Sequence, residues 1–416
     1  MINLNSDNKI RHGLILLFFV VLPFERLLTL DVAGYTLKLS YILGLIIIIY
    51  AIVLIAKKHI SLTLYRDELW LLLFALLAIL TTLWSIDWKR SLIVSLTVIF
   101  VLVLFYVLRR IIDPKLKEKI ISVFIYMGVL TSLFGIWQFF VDKTFISHFS
   151  FLRPEYTSAV FGFPRVQATF LEPLYLANFL LIPIFFSFYR LAKKSSASGY
   201  LFLTVTATAF FLALSRGAFL ALAVGLLFVA VTVIIYDRSK LTAFLKSVVF
   251  TILAGVLAVL SIYAVAGKTG LATYSGHAVV NDVATGESVI DRKYTMDVAL
   301  DESLLHPFGL GVGAFGALPE LRGDIQSQGY QTVNNLYLEI LVETGFLGLI
   351  LFIVFLWNYV LNLIKEFARN KLWVTICLGL VLAILTQYLF FSTIYIIYIW
   401  AVLAVLSTKQ PKLPNS

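Results

Sequence analysis

Cysteine is almost absent from this chain. Cys377, set in an apolar run, is the only one, so there is no disulfide framework and no cysteine metal site, and a buried small side chain is the reading left for it. Charge is scarce too. Only 13% of the 416 residues are charged while 61% are hydrophobic, against about 25% charged and about 45–50% apolar in soluble domains, which excludes an ordinary soluble fold. The alternating pattern of a β-barrel is missing, whereas runs of about 20 apolar residues recur, the length that crosses a bilayer core of about 30 Å as a helix. His148 and His306 stand isolated, so no metal-ligand cluster is visible and no metal is expected.

What is present is an all-α polytopic membrane protein with about 12 transmembrane helices, one transmembrane domain over residues 1–416. Apolar runs fall at about 13–30, 37–56, 69–85, 91–108, 120–141, 169–189, 200–214, 217–236, 245–265, 336–362, 372–389 and 391–407. Between Tyr200 and Tyr236 Arg216 is the one charge, and a single helix that long would span about 55 Å. The chain therefore turns at Ser215-Arg216-Gly217, and by the same argument near Phe391-Ser392-Thr393. Lys9 and Arg11 ahead of the first run resemble a signal peptide, but no small-x-small cleavage site follows, so a retained helix is expected.

The net charge of +10 needs no nucleic-acid partner. Most lysines and arginines fall in alternate short loops, with Lys57, Lys58, Arg109, Arg110, Arg190, Lys193, Arg238, Lys365 and Arg369 on one side; the positive-inside rule makes that side and both termini cytoplasmic. A large extracytoplasmic loop, 266–335, between helices 9 and 10 faces the other way. Within it, residues 289–305 read as a surface helix with Ile290, Tyr294, Val298 and Leu305 on one face, lying on the membrane or packed on the rest of the loop.

Chemistry must sit where polar residues gather, on the extracytoplasmic side. Arg216 lies at a tight turn where an arginine is costly unless it faces a polar cavity or a partner, the alternative being a snorkelling anchor. Gly217 beside it permits close backbone approach. Glu172, next to Pro173 at a helix start, either pairs with Arg165 or serves as general base. Arg292-Lys293 alone would be a solvated pair. With Arg165 and Arg216 they form a set of cations suited to a diphosphate, which guanidinium groups match bidentately. The run Gly309-Leu-Gly311-Val-Gly313 has no preceding strand and no Lys-Ser/Thr, so a hinge or tight turn is expected rather than a nucleotide loop. Of Asn334 and Asn335, one is accounted for as a helix N-cap.

Four pieces in order resemble the O-antigen polymerase and O-antigen ligase superfamily of bacterial membrane glycosyltransferases: Arg165-Val-Gln-Ala-Thr-Phe-Leu-Glu-Pro-Leu-Tyr-Leu-Ala177, Leu214-Ser-Arg216-Gly-Ala218, Arg292 with His306-Pro-Phe-Gly-Leu-Gly-Val-Gly-Ala-Phe315, and Asn334-Asn-Leu-Tyr-Leu-Glu-Ile-Leu-Val-Glu-Thr-Gly345. The resemblance implies a glycan on undecaprenyl diphosphate as donor, used outside the plasma (inner) membrane without metal or cofactor. It assigns Arg216 and Arg292 to the diphosphate with Arg165 in support; Glu172 is the first choice of catalytic carboxylate from its position, and Asn334, Asn335 and Tyr337 are read as positioning the acceptor or loop. Ligases of the superfamily begin the last motif with His-Asn; here Asn334 takes that place. That departure and the Glu-Pro pair point to a repeat-unit polymerase, with a second undecaprenyl diphosphate-linked oligosaccharide as acceptor, membrane lipid around it and a chain-length regulator protein as partner. The alternatives are a ligase onto lipid A core or another acceptor, and a polyprenyl-linked sugar transporter.

Overall fold

The computed structural model of the protein describes residues 4–27, 29–32, 35–57, 63–145, 163–276, 287–318 and 331–408. Its helices are α1 (Leu4–Val21), α2 (Leu39–Ala56), α3 (Arg66–Leu80), α4 (Trp88–Ile111), α5 (Pro114–Phe145), α6 (Pro173–Lys193), α7 (Ala197–Leu212), α8 (Arg216–Tyr236), α9 (Leu241–Ser275), α10 (Glu287–Leu305), α11 (Leu336–Ile364), α12 (Lys371–Gln387) and α13 (Ile397–Leu406). Among the described residues, eight helices are long and apolar enough to cross a membrane, and α7, α12 and α13 are shorter apolar helices. The chain is thus an all-α polytopic membrane protein in its main architecture.

Three boundaries differ from those expected. The first helix spans Leu4–Val21 rather than 13–30; Pro23, which cannot donate to a helical ladder, lies just past its end. Residues Thr29–Val32 and Tyr35–Lys38 pair as an antiparallel hairpin (β1 and β2), with Thr29 opposite Lys38 and Val32 opposite Tyr35, so the fold is not purely helical. At the start of the 266–335 segment the helix does not stop but breaks at Gly267 (φ 62°, ψ −154°) and continues to Ser275, a left-handed conformation that glycine adopts without a Cβ clash. Residues 146–162, 277–286 and 319–330, which include His148 and parts of the expected 266–335 loop, lie outside the described residues.

Burial ranks the helices. The membrane window of α6 is 83% buried, against 33% for α2 and α8 and 22% for α9, so α6 is the central post and α9 a peripheral one. Where α8 crosses α12, a Cβ on Gly225 would stand 2.6 Å from the Gly379 carbonyl oxygen; glycine lets the two backbones meet, the usual device where helices associate in lipid.

Contacts between loops fall into two sets, one per end of the bundle. At the first end Asp113 joins Arg11 (2.9 Å) and His12 (2.8 Å), Arg109 bonds Asp67 and Arg110 bonds Glu68, and Arg190 and Lys193 both reach Glu118. At the second, Arg26 N–H donates to the Thr169 carbonyl, Lys38 pairs with Glu25, Trp84 donates to the Gly309 carbonyl and Arg165 binds the 213–214 backbone. The sorting follows the alternation of loops expected from charge, with the basic loops together at the first end.

Candidate active site

At the second end, the strand of chain entering α6 is held from three directions. Gln138 of α5, 2% exposed, accepts from Ala168 N–H at 2.8 Å. Thr169 donates to the Pro23 carbonyl at 2.6 Å. Val166 N–H reaches the Leu212 carbonyl at the end of α7. Arg165 completes the clamp: Nε and Nη2 donate to the Ala213 carbonyl (3.3 and 3.2 Å) and Nη2 to the Leu214 carbonyl (3.0 Å). The guanidinium fork therefore holds the turn that immediately precedes Arg216.

Arg216 is the first residue of α8, and Ser215 before it makes no side-chain cap. The side chain is half-buried and has no hydrogen-bond or ion-pair partner among the described residues. A cation beside uncapped helix N–H groups is a site for an anion, since the N-terminal end of the helix dipole adds to the positive potential. Gly217 is closed on by the Phe390 side chain, 2.8 Å from a hypothetical Cβ, so the neighbour there is a side chain and not the backbone expected. Glu172 occupies the N-cap of α6 with Pro173 in the first turn; its charge bears on Tyr175, whose ring meets Phe391 edge-on at 4.9 Å.

The segment 388–396 closes the other side. Leu336 N–H donates to the Tyr388 carbonyl (2.9 Å), and Tyr337 OH to the Leu385 carbonyl (2.9 Å). Asn335 is the cap of α11, accepting from Tyr337 N–H (3.0 Å) and Leu338 N–H (3.2 Å). Asn334, with φ 57°, donates to the Thr332 carbonyl. Among the described residues the non-glycine positions with positive φ are Ala168, Leu214, Asn334 and Thr393. One lies in each of these four segments. Such backbone costs on the order of 1–3 kcal/mol per residue and gathers at functional sites.

The glycine run has a structural partner. α11 breaks at Gly345 (φ 72°, ψ −177°), which frees carbonyls near the break. Leu310 N–H takes the Val342 carbonyl (2.9 Å) and Gly311 N–H that of Glu343 (3.0 Å), while Phe346 N–H donates to the Pro307 carbonyl. The run is a tight loop docked on a helix interruption. Arg90 Nε donates to the Gly313 carbonyl at 2.6 Å, fastening the far side of that loop to α4.

Sequence reasoning passed over three residues here. Glu339 accepts from Thr393 N–H at 3.3 Å. Glu343 accepts from Phe315 N–H (3.4 Å). Arg90 lies within electrostatic reach of both. Burial, with the Glu339 charge, pushes the nearby Tyr395 phenol up to about 12. Carboxylates at i and i+4 in the opening turns of an apolar helix were the visible signal, since such groups are rarely placed in a membrane helix without a role.

α10 packs on α11 differently from the expected arrangement. Met296, Val298 and Ala299 meet Leu338 and Val342, with Thr295 and Ser303 buried alongside, while Ile290, Tyr294 and Leu305 are 56%, 49% and 71% exposed. Of the expected apolar face Val298 alone joins the seam, beside Met296, Ala299 and the buried Thr295 and Ser303. Arg292 is half-buried on the Met296–Ser303 side and Lys293 is exposed. The structure thus joins Arg165, Arg216, Glu172, Asn335 and Tyr337 through shared segments, and Arg292 stands on α10, which packs on α11.

A family model described as O-antigen ligase matches residues 201–353. The matched part holds Arg216, Arg292, the glycine run and Asn334-Asn335, and leaves Arg165 and Glu172 outside. No curated protein matches the chain.

Proposed function

We propose that this chain, a member of the O-antigen ligase and polymerase superfamily, is a polysaccharide repeat-unit polymerase working on undecaprenyl diphosphate-linked glycans at the extracytoplasmic face. Membership supports a membrane glycosyltransferase of the O-antigen ligase or polymerase type; polymerase, donor and acceptor are our reading. In the reaction, an acceptor hydroxyl attacks the anomeric carbon of the donor glycan. The bond from that carbon to the diphosphate oxygen breaks, the diphosphate leaves with the bonding electrons, and the hydroxyl proton passes to the Glu172 carboxylate. Charge builds on the diphosphate, and fixed cations stabilise it there.

The observation that carries this reading is Arg216: accessible, uncommitted among the described residues, and placed at an uncapped helix N-terminus by the Arg165 clamp. Arg292 completes the cationic set from α10, and Asn334, Asn335 and Tyr337 shape the acceptor side. A ligase is the second reading, favoured by the description of the matched family. Purified protein given only its lipid-linked repeat unit separates the two: a ladder of longer lipid-linked glycans is expected, and transfer solely onto a lipid A core or other added acceptor overturns the polymerase. Movement of the lipid-linked glycan across vesicles without any transfer would overturn both.

A further inference from the structure

At the opposite, basic end of the bundle lies a cavity of about 360 Å³, walled by the start of α3, the ends of α4 and α11, the α11–α12 turn and the end of α13. Its lining includes Arg66, Arg109, Lys365, Glu366, Arg369 and Trp373. The charges sort into committed and uncommitted groups. Arg109 is held by Asp67 (2.5 Å), which also accepts from Asn362 (2.9 Å), and Arg369 by Glu366 (2.9 Å). Arg66 has no carboxylate partner among the described residues, and Lys365 bonds only the Asn362 amide oxygen (3.1 Å).

A third cation stands behind the wall. Lys117 is 2% exposed, its Nζ has no hydrogen-bond partner among the described residues, and it lies 4.4 Å from the centroid of the Trp373 ring. A buried ammonium is costly without a bonded anion, and the Glu118 and Glu366 charges act on this one from a distance without bonding it. Positive-inside bias explains why lysine and arginine are at this end. It does not explain why two of them line a concave space with surplus charge while a third is buried beside its aromatic wall.

We propose that this cavity binds a phosphate-bearing anion, with Arg66 and Lys365 as its direct ligands and Lys117 behind Trp373 supplying long-range positive potential. Basic pockets between helix ends on this side of a membrane suit anionic lipid headgroups, and the volume holds a phosphate with a small substituent. The same chemistry would take a soluble phosphate compound. The site lies at the far end from Arg216 and does not depend on the polymerase assignment.

The test uses the full chain in nanodiscs of zwitterionic phosphatidylcholine, followed by thermal unfolding. One arm raises the fraction of phosphatidylglycerol in the disc; the other adds pyrophosphate to the buffer. Stabilisation is expected in one arm, and which arm responds names the source. Each basic residue near an anionic surface contributes about fivefold in affinity, so Arg66→Gln with Lys365→Gln should weaken the response on the order of 25-fold. Lys246→Gln, an exposed change in the basic end outside the cavity, should leave it intact. On the unmodified chain, the active ligand should also slow acylation of Lys365 but not of Lys246. No stabilisation in either arm, equal loss with Lys246→Gln, or unprotected Lys365 overturns the site.

Discussion

The Arg165 guanidinium donates to the carbonyl of Leu214 at 3.0 Å, and Leu214 is held with φ 51°. A cation that could itself have faced substrate instead fixes a strained turn two residues ahead of another cation. Arg165 is in this sense a positioning residue for Arg216. Two nitrogens of one planar group make three hydrogen bonds to two carbonyls, a geometry lysine cannot reproduce. Arg165→Ala and Arg165→Lys should therefore both lower glycosyl transfer by purified protein, by about a hundredfold. Full activity in the lysine variant would show that charge rather than the fork matters.

Substitutions in the reacting set should grade differently. Arg216→Ala is expected to reduce the rate by on the order of 10²- to 10³-fold, the cost of one lost stabilising group on a developing anion, while Arg216→Lys keeps part of it. Arg292→Ala should fall with Arg216→Ala, and the exposed Lys293→Ala should stay near wild type. Glu172→Gln should slow transfer and leave donor binding unchanged, which product ladders and a lipid-binding measurement read separately.

Gly345→Ala tests the docked loop. With φ 72° and a hypothetical Cβ 2.3 Å from the Pro307 carbonyl oxygen, alanine meets both backbone strain and a clash. A loss of about 3 kcal/mol is expected from the two together, read as a lower unfolding temperature with reduced activity.

At the other end, Asp67 is wholly buried and bound by Arg109 and Asn362. Asp67→Ala leaves a 4% exposed guanidinium whose remaining carboxylate contact among the described residues is the longer one to Glu68 at 3.3 Å, so destabilisation of about 3 kcal/mol is expected. Replacing both partners, Asp67→Leu with Arg109→Met, should cost less than Asp67→Ala alone. A thermal unfolding series on the three proteins checks the order.

Asp113 supplies a pH signature. Burial alone would raise its pKa, but the Leu116 N–H, His12 and Arg11 outweigh burial and hold the carboxyl below the ordinary carboxylate range. A folded-state pKa below the unfolded value means stabilisation that is full above the unfolded value of about 4 and fades as pH falls through the folded one. The stability gap between wild type and Asp113→Asn should be constant from neutral pH down to about 5 and close below about 4. A gap that persists in acid would place the effect elsewhere.

The helical plan was legible because apolar runs and bilayer thickness speak the same units: the turn at Ser215-Arg216 follows from length alone, and the structure starts α8 at Arg216. The Asn335 cap and the Glu172-Pro173 helix start were legible from local chemistry. The β1–β2 hairpin was not, since its four-residue strands straddle the short gap between the apolar runs 13–30 and 37–56 and are too short to show an alternating pattern. Glu339 and Glu343 were passed over because their meaning lies in Thr393 and Phe315 N–H groups far along the chain. The glycine run was read as a turn, and its partner could not be, because a missing helical bond at Gly345 leaves no mark in composition.

The docking of residues 307–311 on the interruption at Gly345 also sets a rule for exchanging parts between relatives. The long segment and the first eleven residues of α11 share main-chain bonds in both directions, so they form one graftable module. A chimera that takes 266–335 from another member and keeps its own 336–346 would inherit mismatched halves of that joint. Cuts placed after Phe346 should give exchangeable proteins.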